Sequence, residues 1–179
     1  MNENCVVFKW TPGISSYSFT DFEIAIANEE YDSDWSIFDH EKVKTGDRFF
    51  MLKVGCGTCG IVAAGVITSD PKPGRDWSGK GRKVWYSDYR CEFMVNPATL
   101  PIIESTALED NIPGFDWYGG HSGVVLEEES AAVLEKLYLT YLRKNIPIFT
   151  KRLNLIRERN SYNDQLYINE KLLIQIKGE

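Results

Sequence analysis

The sequence contains little of what an enzyme or a membrane protein requires. Its 179 residues hold no P-loop, no G-x-G-x-x-G fingerprint and no recognised nucleophile motif. The apolar stretches are of strand length and interrupted, so none is expected to span a membrane. The first residues, MNENCVVFKWTPG, lack the basic and apolar regions of a secretory signal. We therefore predict a cytoplasmic chain of one domain, with or without a small appendage, that needs no cofactor and has no assigned catalytic residue.

Cysteine is also scarce. Of the four cysteines, Cys56 and Cys59 form a C-x-x-C pair in a predicted hairpin turn, whereas a redox C-x-x-C motif opens a helix. A zinc site would need two further ligands, and Cys5 and Cys91 are candidates only if their strands pass close by. We predict free thiols and no metal site.

The net charge of −6 argues against a chain that coats nucleic acid through charge alone. The positive charges are nevertheless grouped: residues 70–90 carry six basic and three acidic side chains, and residues 143–159 carry six basic and one acidic. This grouping predicts a basic face on an acidic body, as expected of a phosphate-binding surface. The alternative is a solvated loop and a solvated helix face.

The stretch from Gly46 to Pro71, GDRFFMLKVGCGTCGIVAAGVITSDP, predicts two buried strands joined by a Gly-rich turn. Ala63, Ala64 and Gly65 lie in the middle of the second strand, where small residues leave room for another backbone or a ligand. A hairpin this apolar must be covered on both faces, inside a closed barrel or beneath helices.

The character of the chain changes after residue 126. Before it, the patterns predict strands over 6–10, 84–95 and 124–126, irregular structure over 28–45, a long loop over 70–83 and a connecting segment over 98–114. Residues 20–27 predict a short helix capped by Thr20 or Asp21, with a strand as the alternative. After it, helical spacing from Ser130 predicts a helix that ends near Pro147, and residues 153–156 predict another. Residues 166–176 fit a helix or a strand.

Several pieces of the sequence occur in an order that resembles the PUA-like superfamily and, within it, the EVE domains. These pieces are VVFKWTP (Val6 to Pro12), Trp35, GDRFF, GIVAAGVITSDP and FDWYGGHSGVVL (Phe115 to Leu126). The likeness covers residues 5 to 126 and is strongest to EVE-like reader domains joined to nucleases that restrict modified DNA. The sequence departs from the pattern in its CGTC turn and in having WT where many EVE domains have SE. The resemblance implies an α+β fold, a PUA-like twisted β-barrel over 1–126 with flanking helices, and a helical C-terminal extension over 127–179 packed on it.

The resemblance also implies non-catalytic binding of a nucleic acid, DNA or RNA, with a modified base recognised in an aromatic pocket at the barrel mouth. Such a reader needs an aromatic face for stacking, polar groups for the base edge and cations for the phosphates. The pocket residues implied are Lys9, Trp10, Thr11, Trp35, Lys53, Val54, Gly55, Trp117, Tyr118, His121 and Ser122. The candidates for phosphate contacts are Arg75, Lys80, Arg82 and Lys83. A separate effector nuclease is the partner that a stand-alone reader would need.

Two other functions compete with this one. The ASCH branch of the same superfamily includes amidohydrolases of modified nucleosides, which use lysine, threonine and glutamate, and Lys9 and Thr11 with a glutamate resemble that set. A protein-interaction module would instead use the acidic body and the helical tail. Among the tryptophans, we expect Trp35 and Trp85 in the core or on a pocket floor and Trp77 at the surface.

Overall fold

The computed structural model describes residues 3–30 and 32–178, which form one sheet and four helices. The strands are β1 Cys5–Trp10, β2 Asp32–Ser36, β3 Arg48–Lys53, β4 Gly60–Ile67, β5 Lys72–Gly74, β6 Val84–Val95, β7 Ile103–Glu104, β8 Val124–Val125 and β9 Leu166–Ile168. The helices are α1 Phe19–Asn28, α2 Ser105–Asn111, α3 Glu128–Arg159 and α4 Glu170–Lys177. The predicted α+β class is confirmed. Within these ranges, no helix is long and apolar enough to cross a bilayer.

The sheet is a curled half-barrel with the strand order β2-β6-β4-β3-β1-β8. The β1–β3 pair is parallel, and the other neighbours in this order are antiparallel. On the outer side of β6, β2 pairs with its first half and β9 with its last residues. The longest strand of the sheet is therefore paired along both sides.

Alternate residues of the central strands face two separate cores, as the apolar hairpin predicts. Val7 and Phe50 belong to the core that α3 covers, whereas Phe8 and Phe49 belong to the core that contains α1. The small residues of β4 allow the close approach that we predicted. A Cβ atom at Gly65 would lie 1.9 Å from the carbonyl oxygen of Arg90, so β6 can pass here only beside glycine.

The Gly-Asp-Arg entry to β3 is structural. Asp47 is fully buried and accepts hydrogen bonds from the backbone nitrogens of Asn4 and Lys44, both at 2.9 Å. Arg48 Nη2 lies 2.5 Å from Glu92 Oε1 on β6, and Arg48 Nε lies 3.2 Å from Glu135 Oε2 on α3. These contacts fasten the long helix to the sheet.

The predicted short helix is confirmed as α1, but its cap lies earlier than Thr20 or Asp21. Ser18 is the N-cap, and its hydroxyl accepts from the Asp21 backbone while the Asp21 carboxylate accepts from the Ser18 backbone. This reciprocal capping box leaves Phe22, Ala25 and Ile26 on the buried face.

The predicted helix end near Pro147 is wrong, because α3 continues through this proline to Arg159. A proline inside a helix costs about 3 kcal/mol or more through a lost hydrogen bond and a steric clash. Tyr141, Asn145 and Phe149 are buried on one face across the proline, and Asn145 Nδ2 donates to the Tyr141 carbonyl oxygen at 2.8 Å. The packing of side chains on both sides of Pro147 therefore outweighs the tendency of proline to end a helix.

Three segments contain shorter elements that we did not predict, and in a fourth the structure decides between the alternatives left open. The segment expected to be irregular contains β2, and the 70–83 loop contains β5. The connecting segment 98–114 contains β7 and α2. The ambiguous tail contains both a strand and a helix, because β9 extends the sheet beside β6 before α4 begins at Glu170.

Candidate functional site

The sheet curls until the segment after β2 meets the segment before β8. The Phe38 nitrogen donates to the Ser122 carbonyl oxygen and the Asp39 nitrogen to the Gly123 carbonyl oxygen, each at 3.0 Å. We call this junction the seam. A Cβ atom at Gly123 would lie 2.5 Å from the Ile37 Cα atom, and its φ of 77° is left-handed. Only glycine allows the two segments to approach this closely.

An open cleft of about 1130 Å³ lies along the seam. Its walls come from the end of β1, the 14–17 loop, β2 and the residues after it, the end of β3, the 77–86 segment and the 118–122 turn. The volume slightly exceeds the range of about 300–1,000 Å³ that is usual for small-molecule sites.

Trp35 forms a fixed wall of this cleft. Its ring stacks on Phe8 with centroids 6.1 Å apart and meets Tyr17 edge-on at 6.0 Å. Its Nε1 donates to Ser122 Oγ at 2.8 Å. The side chain is half-buried, and it belongs both to the core and to the cleft lining. Strand pairing, ring packing and one hydrogen bond therefore orient the indole before any ligand arrives.

Further ring systems surround the opening as stacked pairs, and all of their members line the cleft. In two of the pairs a histidine stacks on an aromatic ring, and in the third a guanidinium lies over an indole. The pairs are Phe38 with His121 at 3.9 Å, Trp85 with His40 at 4.3 Å, and Trp77 with Arg82 at 5.8 Å. The cleft thus presents flat, polarizable surfaces on several sides, which suit a planar aromatic ligand.

Lys9 lies on the wall formed by the end of β1. Its ammonium donates to the Gly119 carbonyl oxygen and lies 4.6 Å from the centroid of the Phe115 ring. Burial lowers the pKa of Lys9 below its ordinary value, and the charge of Asp116 opposes that shift. Asp116 also accepts hydrogen bonds from the backbone of Tyr118 and Gly119, so one carboxylate shapes the turn that faces Lys9.

The basic loop is organised around Asp76. Its carboxylate accepts hydrogen bonds from the Arg82 guanidinium and from the Arg82 and Ser78 backbone nitrogens, and these bonds lower the pKa of Asp76 well below its usual range. The Tyr86 hydroxyl accepts from the Trp77 nitrogen at 3.1 Å and donates to the Arg75 carbonyl oxygen at 2.7 Å. The loop is therefore held in one shape, with Trp77 exposed as we predicted.

The structure brings most of the implied pocket residues together in the cleft. Those that line it are Lys9, Thr11, Trp35, Val54, Gly55, Tyr118, His121 and Ser122, and of the proposed phosphate contacts Arg82 and Lys83 line it too. Arg75 and Lys80 are exposed on the same loop, but outside the lining.

Three implied pocket residues lie elsewhere. Trp10 is fully buried against α1, and its Nε1 donates to the Tyr17 carbonyl oxygen at 2.7 Å. Trp117 is 1% exposed in the other core. The Lys53 ammonium is turned into the β3–β4 turn, where it donates to the Cys56 carbonyl oxygen at 2.7 Å. Core packing and turn formation take these side chains, so they cannot touch a ligand in the cleft.

The sequence reasoning did not assign Tyr17, Phe38, His40 or Tyr89 to the pocket, although all four line the cleft. Tyr89 could have been found from the alternation of Trp85 and Tyr89 on one face of the predicted strand 84–95. The other three lie on loops that come together only in the folded chain, so no local sequence pattern identifies them as pocket residues.

The cysteines are all free. Cys56 and Cys59 lie in the accessible β3–β4 turn, while Cys5 and Cys91 are buried in different cores. Burial raises the pKa of Cys5 to about 12, so that thiol stays protonated. Within residues 3–30 and 32–178, no three or more His, Cys, Asp or Glu side chains are grouped so as to hold a metal ion.

No protein-family profile matches the sequence, and no curated protein does. Among solved structures, a hypothetical protein from Leishmania major is similar with a TM-score of 0.52 and 8% identity, over 76% of this chain and 94% of that one. Proteins from Pseudomonas syringae and Pseudomonas putida have TM-scores of 0.49 and 0.48 and identities of 12% and 14%, over 74% of this chain and 98% of theirs. The Leishmania likeness indicates a shared fold and nothing about activity.

Proposed function

We propose that this chain binds nucleic acid without catalysis and takes one unpaired or extruded base, carrying a modification, into the seam cleft. The observation that carries the proposal is the meeting of fixed aromatic walls with basic side chains in one open cleft. A planar base can stack on such walls, and each base–aromatic stack contributes about 1–3 kcal/mol in single-strand binding proteins. We propose further that the curled sheet is of the PUA-like, EVE-like kind.

The charges around the cleft support a strand that passes its rim. Lys83 lines the cleft, and Arg75 and Lys80 are exposed on the loop that Asp76 holds in shape. Cations on a rigid loop beside an aromatic cleft would contact the phosphates that flank the bound base. Because the whole chain carries a net charge of −6, this contact would be local and weak without the base.

The amidohydrolase alternative has less support. Lys9 and Thr11 do lie together in the cleft lining, but the Lys9 ammonium already contacts the Gly119 carbonyl oxygen. Among the described residues that line the cleft, Asp34 is the one carboxylate, so the glutamate that such an enzyme uses has no counterpart there. The arrangement fits a binding site better than a hydrolytic one.

Binding to short single- and double-stranded DNA and RNA tests the proposal. Each strand would be tested with unmodified, methylated or hydroxymethylated cytosine, at low and at physiological salt. We expect a preference for one modification that survives the higher salt, because stacking and edge contacts are less sensitive to salt than phosphate contacts. Binding that is equal for all strands and is lost with salt, or no binding at all, would overturn the proposal.

Trp35→Ala and Trp77→Ala form a matched pair for this assay. Trp35→Ala should abolish the preference for the modified base, whereas Trp77→Ala, on the exposed loop, should weaken binding to all strands alike. Circular dichroism at the assay temperature shows whether each variant is folded. A folded Trp35→Ala variant that keeps the full preference would remove Trp35 from the site.

A separate effector nuclease remains the partner that we propose for such a reader.

A further inference from the structure

The hydrogen bonds of Ser122 restrict what its hydroxyl can do. Ser122 Oγ accepts from the Lys9 backbone nitrogen and from Trp35 Nε1, each at 2.8 Å. A serine hydroxyl has two acceptor lone pairs and one donor hydrogen. Because both lone pairs are occupied by donors that the fold supplies, the hydrogen is the group that Ser122 has left to offer.

That hydrogen is available to the cleft. Ser122 is half-buried and lines the cleft, and within residues 3–30 and 32–178 the hydrogen bonds of its side chain all bring donors to Oγ. Because Oγ accepts from the indole N–H, it lies beside the Nε1 edge of the Trp35 ring. A planar group stacked on Trp35 would therefore carry its own edge past the Ser122 hydroxyl.

A second hydrogen-bond donor lies near Ser122 on the same wall of the cleft. Lys9 also lines the cleft, and its ammonium, a group with donors only, donates to the Gly119 carbonyl oxygen in the 118–122 turn. The carboxylate of Asp34 comes from β2 instead, not from this wall. The wall made by the end of β1 and the 119–122 turn therefore carries two side-chain donor groups, the Lys9 ammonium and the Ser122 hydroxyl.

We propose that Ser122 determines specificity by donating its hydroxyl hydrogen to an acceptor on the edge of the stacked base, a carbonyl oxygen or an unprotonated ring nitrogen. This inference rests on the proposed function. The ligand class that follows is a planar base with an acceptor on the edge that faces β1, and an isostere without strong acceptors is discriminated against. Trp35 has a double role, because it stacks on the base and also fixes the direction of the Ser122 donor.

Three single-stranded DNA oligonucleotides of one length test this inference at physiological salt. They differ at one central position, which carries thymine, its difluorotoluene isostere or an abasic site. We expect the wild-type chain to bind the thymine strand about 2- to 12-fold more tightly than the isostere strand, which corresponds to one neutral hydrogen bond. The abasic strand, which lacks a base to stack, should bind more weakly than both.

Variants separate the hydroxyl from its neighbours. Ser122→Ala should bind thymine and isostere equally, while Ser122→Thr, which keeps a hydroxyl, should retain the preference. Ser161→Ala is the control and should bind all three strands as wild type does, because it removes an exposed hydroxyl that lies after α3, outside the cleft lining.

Each contrary outcome has a distinct meaning. If wild type binds thymine and isostere equally, but both more tightly than the abasic strand, the Ser122 inference is overturned and base binding stands. If all three strands bind equally while a modified strand of the earlier assay is preferred, the Ser122 inference fails and the proposed function stands; if no strand is preferred in either assay, both fail. If Ser122→Ala weakens the thymine and isostere strands by the same factor, Ser122 acts only by holding Trp35, and the inference is again overturned.

Discussion

Replacing Arg48 by methionine tests whether the ion pair beneath α3 holds that helix to the sheet. Methionine keeps an unbranched stem against the rings of Phe50 and Tyr138, over which the Arg48 guanidinium lies at 5.0 and 5.3 Å. It removes the charge that lies 2.5 Å from the Glu92 carboxylate. Glu92 would retain one hydrogen bond, from the Tyr138 hydroxyl at 3.1 Å.

The expected cost follows from the burial of the pair. Breaking a fully buried ion pair costs about 3–5 kcal/mol, and breaking an exposed one costs about 0–1 kcal/mol. The side chains of Arg48 and Glu92 are 18% and 20% exposed, so their pair lies nearer the buried limit. We expect Arg48→Met to lower the free energy of unfolding by about 2–3 kcal/mol. For a chain of this length, this loss lowers the Tm by about 4–12 °C.

Thermal unfolding followed by circular dichroism at neutral pH measures the effect. Arg90→Met is the matched control, because Arg90 and Asp32 form an ion pair at 2.8 Å in which both side chains are 59% exposed. Its cost should stay within about 1 kcal/mol. Adding Glu92→Gln to Arg48→Met should recover part of the loss, since it removes the unpaired charge. If Arg48→Met and Arg90→Met melted at the same temperature, burial would not govern these pairs and the reasoning would be refuted.

Two further predictions concern the seam and the basic loop. Gly123→Ala should lower the free energy of unfolding by about 2 kcal/mol or more, through a left-handed φ and a clash with Ile37. An unchanged urea midpoint would contradict this. Because Asp76 has a lowered pKa in the folded chain, its charge stabilises the fold above about pH 4, and that contribution is lost as the pH falls further. Wild type should therefore exceed Asp76→Asn in Tm at neutral pH, and the gap should close on acidification; a gap that persists at low pH would rule out the carboxylate charge as its cause.

The strands that could be predicted from the sequence are those that bury their own apolar residues. The β3–β4 hairpin and β6 are apolar enough to be recognised from composition and turn residues alone. In contrast, β2 has the sequence DSDWS and lies at the edge of the sheet, where polar side chains are tolerated. Its strand conformation comes from pairing with β6, a contact between residues far apart in the chain.

The candidate site was predictable to a similar extent. Trp35 and Ser122 are implied by an ordered resemblance, and the structure brings them within hydrogen-bond distance although 87 positions separate them. Trp10 and Trp117 look equally suitable in the sequence, but each ring is buried in a core. A side chain near the end of a strand can point to either face, and only the register of the whole sheet decides which one it takes.

The placement of β9 and α3 has a consequence for how the chain acquires its structure during synthesis. Phe50 and Phe93, on the face of the sheet that α3 covers, contact the ring of Tyr138 from that helix. The last residues of β6 pair with residues 166–168, which are synthesised later. Until those residues have been made, the nascent chain has a sheet with one apolar face and part of one edge open to solvent. Such intermediates aggregate readily and close slowly, because distant contacts require the closure of long loops. A premature stop after residue 126 should therefore yield a chain that depends on chaperones, not a smaller stable domain.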